Sequence, residues 1–160
     1  ETKQVLETGG GLLKARGLLE SSEPFVTLNV DILTDLNLNK LFEFHTKRQP
    51  LISFGVTSRE TSRYFLFDEN DRLCGWRNTK TGDEIISVSK PSLIQKAYSC
   101  VVIFQPEVFG LIKQTGKFSL TETYLDLAKD NLILGFDHSG DKLVDVGKPE
   151  SVAIAEKLFS

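Results

Sequence analysis

The chain has 160 residues, 40% of them hydrophobic and 26% charged, with a net charge of −3. That is the make-up of one globular domain large enough to bury a core, and it excludes the strongly basic surface of a nucleic-acid binder. No apolar run approaches the roughly 20 residues that span a bilayer, so neither nucleic acid nor membrane is expected as a partner.

In chain order, Glu1 to Leu6 reads as the tail of a strand leading into a glycine run, Glu7-Thr8-Gly9-Gly10-Gly11. Because this chain without Met begins in mid-pattern, a preceding segment is expected. The polar start Glu1-Thr2-Lys3-Gln4 does not resemble a signal peptide. Leu12, Leu13, Ala15, Leu18 and Leu19 have helical spacing, and Ser21-Ser22-Glu23-Pro24 ends that helix. Phe25 to Leu28 is a short buried strand. Leu38 to His45 is helical, with Asp35 or Asn37 as its N-cap, and Leu51 to Val56 is the next strand. This strand–helix–strand order predicts parallel pairing.

Residues 57–90 break the pattern. Tyr64 to Asp68 and Arg72 to Arg77 flank Glu69-Asn70-Asp71 as a hairpin, and Ile85 to Val88 is a further short strand, so an antiparallel insert is predicted. Ala97 to Phe104 is a strand, and Pro106 opens a short helix to Ile112. Ser119 and Glu122 fit a capping box for a helix over Leu120 to Lys129. Asn131 to Phe136 and Lys142 to Val146 are strands around a turn at Ser139-Gly140-Asp141. Pro149 to Phe159 is a closing helix. Cys74 and Cys100, both in apolar strand-like runs, read as buried reduced thiols of a cytoplasmic protein.

Two acids and one glycine run carry the chemistry. Glycines let a backbone approach a ligand, and a helix N-terminus favours negative charge. Asp31 follows the strand Phe25 to Leu28, where open α/β sheets bind ligands. Asp145 interrupts an apolar strand, Leu143 to Val146, where an unpaired carboxylate is costly. Asp31 and Asp145 together suit one Mg²⁺ ion, which takes one or two carboxylates plus phosphate oxygens and water. The alternatives are a tight turn for the glycines and helix-cap roles for both acids. Trp76-Arg77-Asn78-Thr79-Lys80 would bring donors and positive charge to a sugar or phosphate, or would simply be a solvated hairpin end. His45 and His138 fit no zinc or triad spacing, and Ser99 and Cys100 lack a nucleophile-elbow pattern.

Four segments in order resemble motifs of the sugar-1-phosphate nucleotidyltransferases, in particular the N-acetylmuramate-1-phosphate uridylyltransferase and mannose-1-phosphate guanylyltransferase-like group. Leu6-Glu7-Thr8-Gly9-Gly10-Gly11 is similar to the base-contacting loop. Leu28-Asn29-Val30-Asp31 is similar to the metal-binding Asn-Gly-Asp. Tyr98-Ser99-Cys100-Val101 is similar to the sugar-pocket Phe-Ser-Gly-Ile, and Val144-Asp145-Val146-Gly147-Lys148-Pro149-Glu150 to the second metal motif, Trp-x-Asp-Val-Gly-Thr-Pro-Glu.

The resemblance implies an α/β, Rossmann-like (GT-A-like) mixed sheet flanked by helices, with the antiparallel insert around 57–90. It implies transfer of a nucleotidyl group from UTP or GTP to a sugar 1-phosphate, with Mg²⁺, to give a nucleotide sugar and pyrophosphate. Asp31 and Asp145 would be the catalytic metal ligands. Glu7, Thr8, Gly9, Gly10, Gly11 and Asn29 would bind the nucleotide, and Ser99, Cys100, Arg77, Asn78 and Lys80 the sugar phosphate. The family's N-terminal Gly-x-Gly-x-Arg segment has no counterpart here, so residues 1–160 are expected to be the C-terminal two-thirds of a single domain, inactive alone, with a slot where the first strand belongs. Val30 and Cys100 stand where the family has Gly. This leaves room for an alternative, a non-catalytic nucleotide- or sugar-phosphate-binding regulatory module of the same fold.

Overall fold

In the computed structural model, residues 5–21 and 23–160 are described. The strand expected over Glu1 to Leu6 falls mostly outside them, and Val5 and Leu6 are not in a strand. The chain then runs α1 (Glu7–Lys14), α2 (Arg16–Leu19), β1 (Phe25–Leu28), β2 (Ile32–Thr34), α3 (Leu38–Arg48), β3 (Ile52–Thr57), β4 (Arg63–Phe67), β5 (Leu73–Asn78), β6 (Glu84–Ile86), β7 (Ile94–Phe104), α4 (Val108–Leu111), α5 (Leu120–Leu127), β8 (Ile133–Asp137), β9 (Leu143–Asp145) and α6 (Pro149–Phe159).

The strand β7 is the spine. It pairs antiparallel with β4 through Ile94–Lys96, with β3 along most of the rest, and with β1 through Val101–Phe104. The sheet runs β6-β5-β4-β7-β3-β8, with β1 paired to β7 off that path. The mixed α/β architecture is therefore as expected, and β4, β5 and β6 form the antiparallel insert. The predicted parallel pairing of β1 with β3 is corrected: both pair antiparallel with β7, and the parallel partner of β3 is β8. All six residues of β3 are buried, as for a strand covered on both faces.

Local signals explain the element ends. Asn37, not Asp35, caps α3 by accepting from the Lys40 amide at 3.1 Å, while Asp35 accepts from the Lys142 amide at 2.7 Å. Ser119 caps α5 through the Thr121 amide at 3.2 Å. Pro149 opens α6, where a missing N–H costs nothing. A second, two-stranded sheet joins β2 to β9; the short β2 was not expected. Phe54, Phe65, Phe67, Phe104 and Tyr124 form the centre of the core. Among the described residues, no strand pairs with the outer edge of β1, and Val26 and Leu28 on it are about half exposed (50% and 48%).

Candidate functional site

A cavity of about 260 Å³ opens beside the spine strand. Its floor is aromatic: Phe65 and Trp76, a cross-strand pair of β4 and β5, with Tyr98 and Tyr124. The two tyrosine hydroxyls share a 3.3 Å hydrogen bond. Burial raises the pKa of both, so both stay protonated. One rim is Thr8 with the first residues of α5, and the other is Thr27, Asn29 and Cys100. Arg63, exposed and without a side-chain partner among the described residues, is the one charged lining residue.

The glycine run does not form the expected ligand loop. It lies inside α1, and Gly9 and Gly10 are buried against residues 116–118. A Cβ on Gly9 would stand 2.2 Å from the Phe118 ring, and one on Gly10 the same distance from the Gly116 carbonyl oxygen. At Gly9 and Gly10 the lack of side chains permits this helix packing. Glu7 enters the helix at φ +58 and pairs with Lys117 at 3.4 Å. Thr8 does reach the cavity, and its hydroxyl accepts from the Leu120 amide at 3.1 Å. Of the six residues expected to bind nucleotide, Thr8 and Asn29 line the cavity, and Glu7, Gly9, Gly10 and Gly11 do not.

Asp31 and Asp145 converge. They sit at the end of the β2–β9 ribbon, where Ile32 pairs with Asp145. The Val146 amide donates to the Asp31 carbonyl at 2.8 Å, and the Gly147 amide to the Asp145 carboxylate at 2.9 Å. A Cβ on Gly147 would lie 3.1 Å from a carboxylate oxygen of each acid, so the absence of that carbon lets both turn to one spot. Neither forms an ion pair among the described residues. Two adjacent carboxylates without a cation fit one Mg²⁺ ion, although no set of three His, Cys, Asp or Glu side chains with metal-binding geometry occurs among the described residues. Asn29, two residues before Asp31, lines the cavity; burial pushes the Cys100 thiol there up to about 11, with the charges of Asp31 and Asp145 acting the same way and Arg59 opposing.

The residues expected at the sugar phosphate separate. Cys100 lines the cavity at φ +59, a left-handed conformation that favours glycine, which accounts for the family's Gly at this position. Ser99 is fully buried and bonded to His138. Arg77 turns to Glu84 at 2.5 Å, and the Asn78 side chain accepts from the Lys80 amide at 3.0 Å. None of Arg77, Asn78 and Lys80 lines the cavity. Val30, the other departure from the family's Gly, projects wholly into solvent and adds nothing to the cavity. Sequence reasoning missed the floor: strand alternation puts Arg63, Phe65, Trp76 and Asn78 on one face and Arg77 on the other.

No protein-family model matches the chain. It is similar to the mannose-1-phosphate guanylyltransferase catalytic subunit beta of Drosophila melanogaster, 28% identical over 98% of this chain and 41% of that one. It is also similar to the regulatory subunit alpha of Homo sapiens, 33% identical over 64% of this chain and 24% of that one. Among solved structures, HddC from Yersinia pseudotuberculosis superposes with a TM-score of 0.70 at 19% identity, covering 99% of this chain and 64% of that one. The chain is a relative of the sugar-1-phosphate nucleotidyltransferases. It shares their fold, and it spans less than half the length of the curated relatives named here. Among the described residues, no helix is long and apolar enough to cross a membrane.

Proposed function

We propose that the polypeptide carrying this chain transfers a nucleotidyl group from UTP or GTP to a sugar 1-phosphate, releasing pyrophosphate, in the cytoplasm. The observation that carries the reading is the convergence of Asp31 and Asp145 around Gly147, with Asn29, two residues before Asp31, lining an aromatic-floored cavity. Asp31 and Asp145 would hold Mg²⁺, which neutralises phosphate charge during in-line displacement. The chain's own residues supply position. Trp76, Phe65 and the tyrosine pair give a flat apolar surface for a sugar or base ring, and Thr8 and Asn29 offer polar groups at opposite rims. Transfer needs no protein nucleophile, since orientation and electrostatics carry most of such a reaction.

Residues 1–160 act in this reading as the C-terminal two-thirds of one domain. Among the described residues no strand pairs with the outer edge of β1, and this edge, with half-exposed Val26 and Leu28, supports a further strand from the rest of the polypeptide. The assay is pyrophosphate release by the complete polypeptide with uridine, guanosine, thymidine and cytidine triphosphates against a panel of sugar 1-phosphates. Silence across the panel overturns catalysis. A regulatory module that binds without turnover is the second reading. It is favoured by the 33% identity to a regulatory subunit and by the Cys100 side chain inside the cavity. Saturable nucleotide binding in the absence of pyrophosphate release selects it.

A further inference from the structure

One buried polar pair lies behind the cavity wall and takes no part in the proposed chemistry. Ser99 and His138 share a 2.6 Å hydrogen bond between Oγ and Nε2. Ser99 is fully buried and His138 nearly so. Burial holds the imidazole's pKa below its ordinary value. Its Nδ1 is buried without a hydrogen bond, with an Asp141 carboxylate oxygen 3.5 Å away. The seryl oxygen is sealed from solvent, so this trio is no hydrolytic triad.

The pair sits at an irregularity of the sheet. Phe54 of β3 faces Val102 of β7, but Val56 faces Tyr98, so Gly55 alone opposes Ser99, Cys100 and Val101. The extra residues bulge, as a bulge in an antiparallel pair does, and Cys100 takes its left-handed conformation there. Gly55 makes the space: a Cβ on it would lie 3.2 Å from His138 Nε2 and 3.3 Å from Ser99 Cβ. The bulge is also tied forward. The Asn29 amide donates to the Cys100 carbonyl at 3.2 Å, and the Asn29 carbonyl accepts from the Ile32 amide at 3.1 Å across the turn that holds Asp31. Arg59 donates to the Tyr98 carbonyl at 3.1 Å.

We propose that His138 is a positioning residue. Through its bond to Ser99 across Gly55 it fixes the β7 bulge that holds Cys100 against the cavity and, through Asn29, the turn that presents Asp31. The inference rests on the proposed function only for which ligand the wall contacts. A strained, non-glycine left-handed residue persists where its surroundings over-determine it, and the Ser99–His138 bond is the side-chain contact that does so from behind.

The test uses the complete polypeptide with His138→Ala, Ser99→Ala and His138→Gln. Iodoacetamide labelling, read by peptide mapping, reports on Cys100 without any ligand, and fully buried Cys74 is the internal control. With far-UV circular dichroism unchanged, His138→Ala and Ser99→Ala should label Cys100 roughly tenfold faster, as a locally opened segment does. His138→Gln, whose amide can still bond Ser99, should stay within about threefold of wild type. Ligand affinity, read by fluorescence of Trp76 with nucleoside triphosphates and sugar 1-phosphates, should fall about tenfold in the two alanine variants and recover in His138→Gln. Wild-type labelling rates in folded His138→Ala and Ser99→Ala overturn the proposal. Where His138→Ala does not fold, Ser99→Ala decides by the same rate. If Trp76 in the wild type responds to no ligand of the panel, the functional reading fails, and the labelling rates still decide the positioning role.

Discussion

The two ends of the candidate site are built differently. The aromatic floor is part of the hydrophobic core: Phe65 and Tyr124 are buried, and Phe54 contacts both rings from below. The carboxylate end stands outside that core on a two-stranded ribbon, held by the Val146 and Gly147 amides and by the small volume of Gly147. In the proposed function, binding surface and fold are thus inseparable at the floor, while at the ribbon chemistry and fold are nearly independent. Substitutions at the floor should cost stability and affinity together, and those at the ribbon should cost turnover alone.

The largest effect should come from Asp31→Asn or Asp145→Asn in the complete polypeptide. In the proposed function each carboxylate faces the metal and phosphates, so losing one charge should cut turnover by about a thousandfold, typical of removing a preorganised electrostatic group. Thermal unfolding should stay level or rise slightly, because a like-charge neighbour is removed. A large drop in stability would break the contrast. Next, Tyr124→Ala at the floor should lose about 3–5 kcal/mol in urea unfolding, the range for a buried aromatic truncated to alanine. If it unfolds no more easily than wild type, the floor is not core.

Gly147→Ala sharpens the comparison at the ribbon. The new methyl would press on both carboxylates and shift them by a few tenths of an ångström, so turnover should fall up to about tenfold, with stability nearly unchanged. The smallest effect is acid sensitivity of the packed half. Buried His45 bonds Ser53 and Gln105, and burial lowers its pKa from 6.5 to about 4. The unfolded imidazole gains its proton near 6.5 and the folded one only near 4. Its contribution is therefore complete above pH 6.5, is lost as pH falls toward 4, and is constant below that, a change of order 2 kcal/mol. Urea melts across that window should show the loss, and His45→Gln should flatten it.

The sequence is most informative where one local rule governs. Phe25–Leu28 and Pro149–Phe159 occur where apolar spacing, a breaker or an N-terminal proline marks their ends. Asn37 and Ser119 cap as their types suggest. Three glycines signal a loop, whereas the run lies in α1, where Gly9 and Gly10 pack against Phe118 and Gly116, contacts that no local pattern signals. Trp76 was grouped with Arg77 and Lys80 by adjacency, although alternation separates Trp76 from Arg77 and leaves the pair Phe65–Trp76 on the floor. The approach of Asp31 to Asp145 was expected from strand ends, but its means, the two-stranded ribbon and Gly147, depends on a three-residue strand too short to announce itself. The Ser99–His138 bond spans two strands across a third, and no local pattern signals it.

That ribbon also bears on the order in which the molecule assembles. Its neighbouring contact, from the Thr34 hydroxyl to the Lys142 carbonyl, joins residues 108 apart in the chain, whereas the β4–β5 hairpin closes over a few residues. Closing a long loop before the intervening chain has condensed is entropically unfavourable, and such contacts form slowly. The hairpin, with its Phe65–Trp76 pair, is therefore expected to form before the two carboxylates meet.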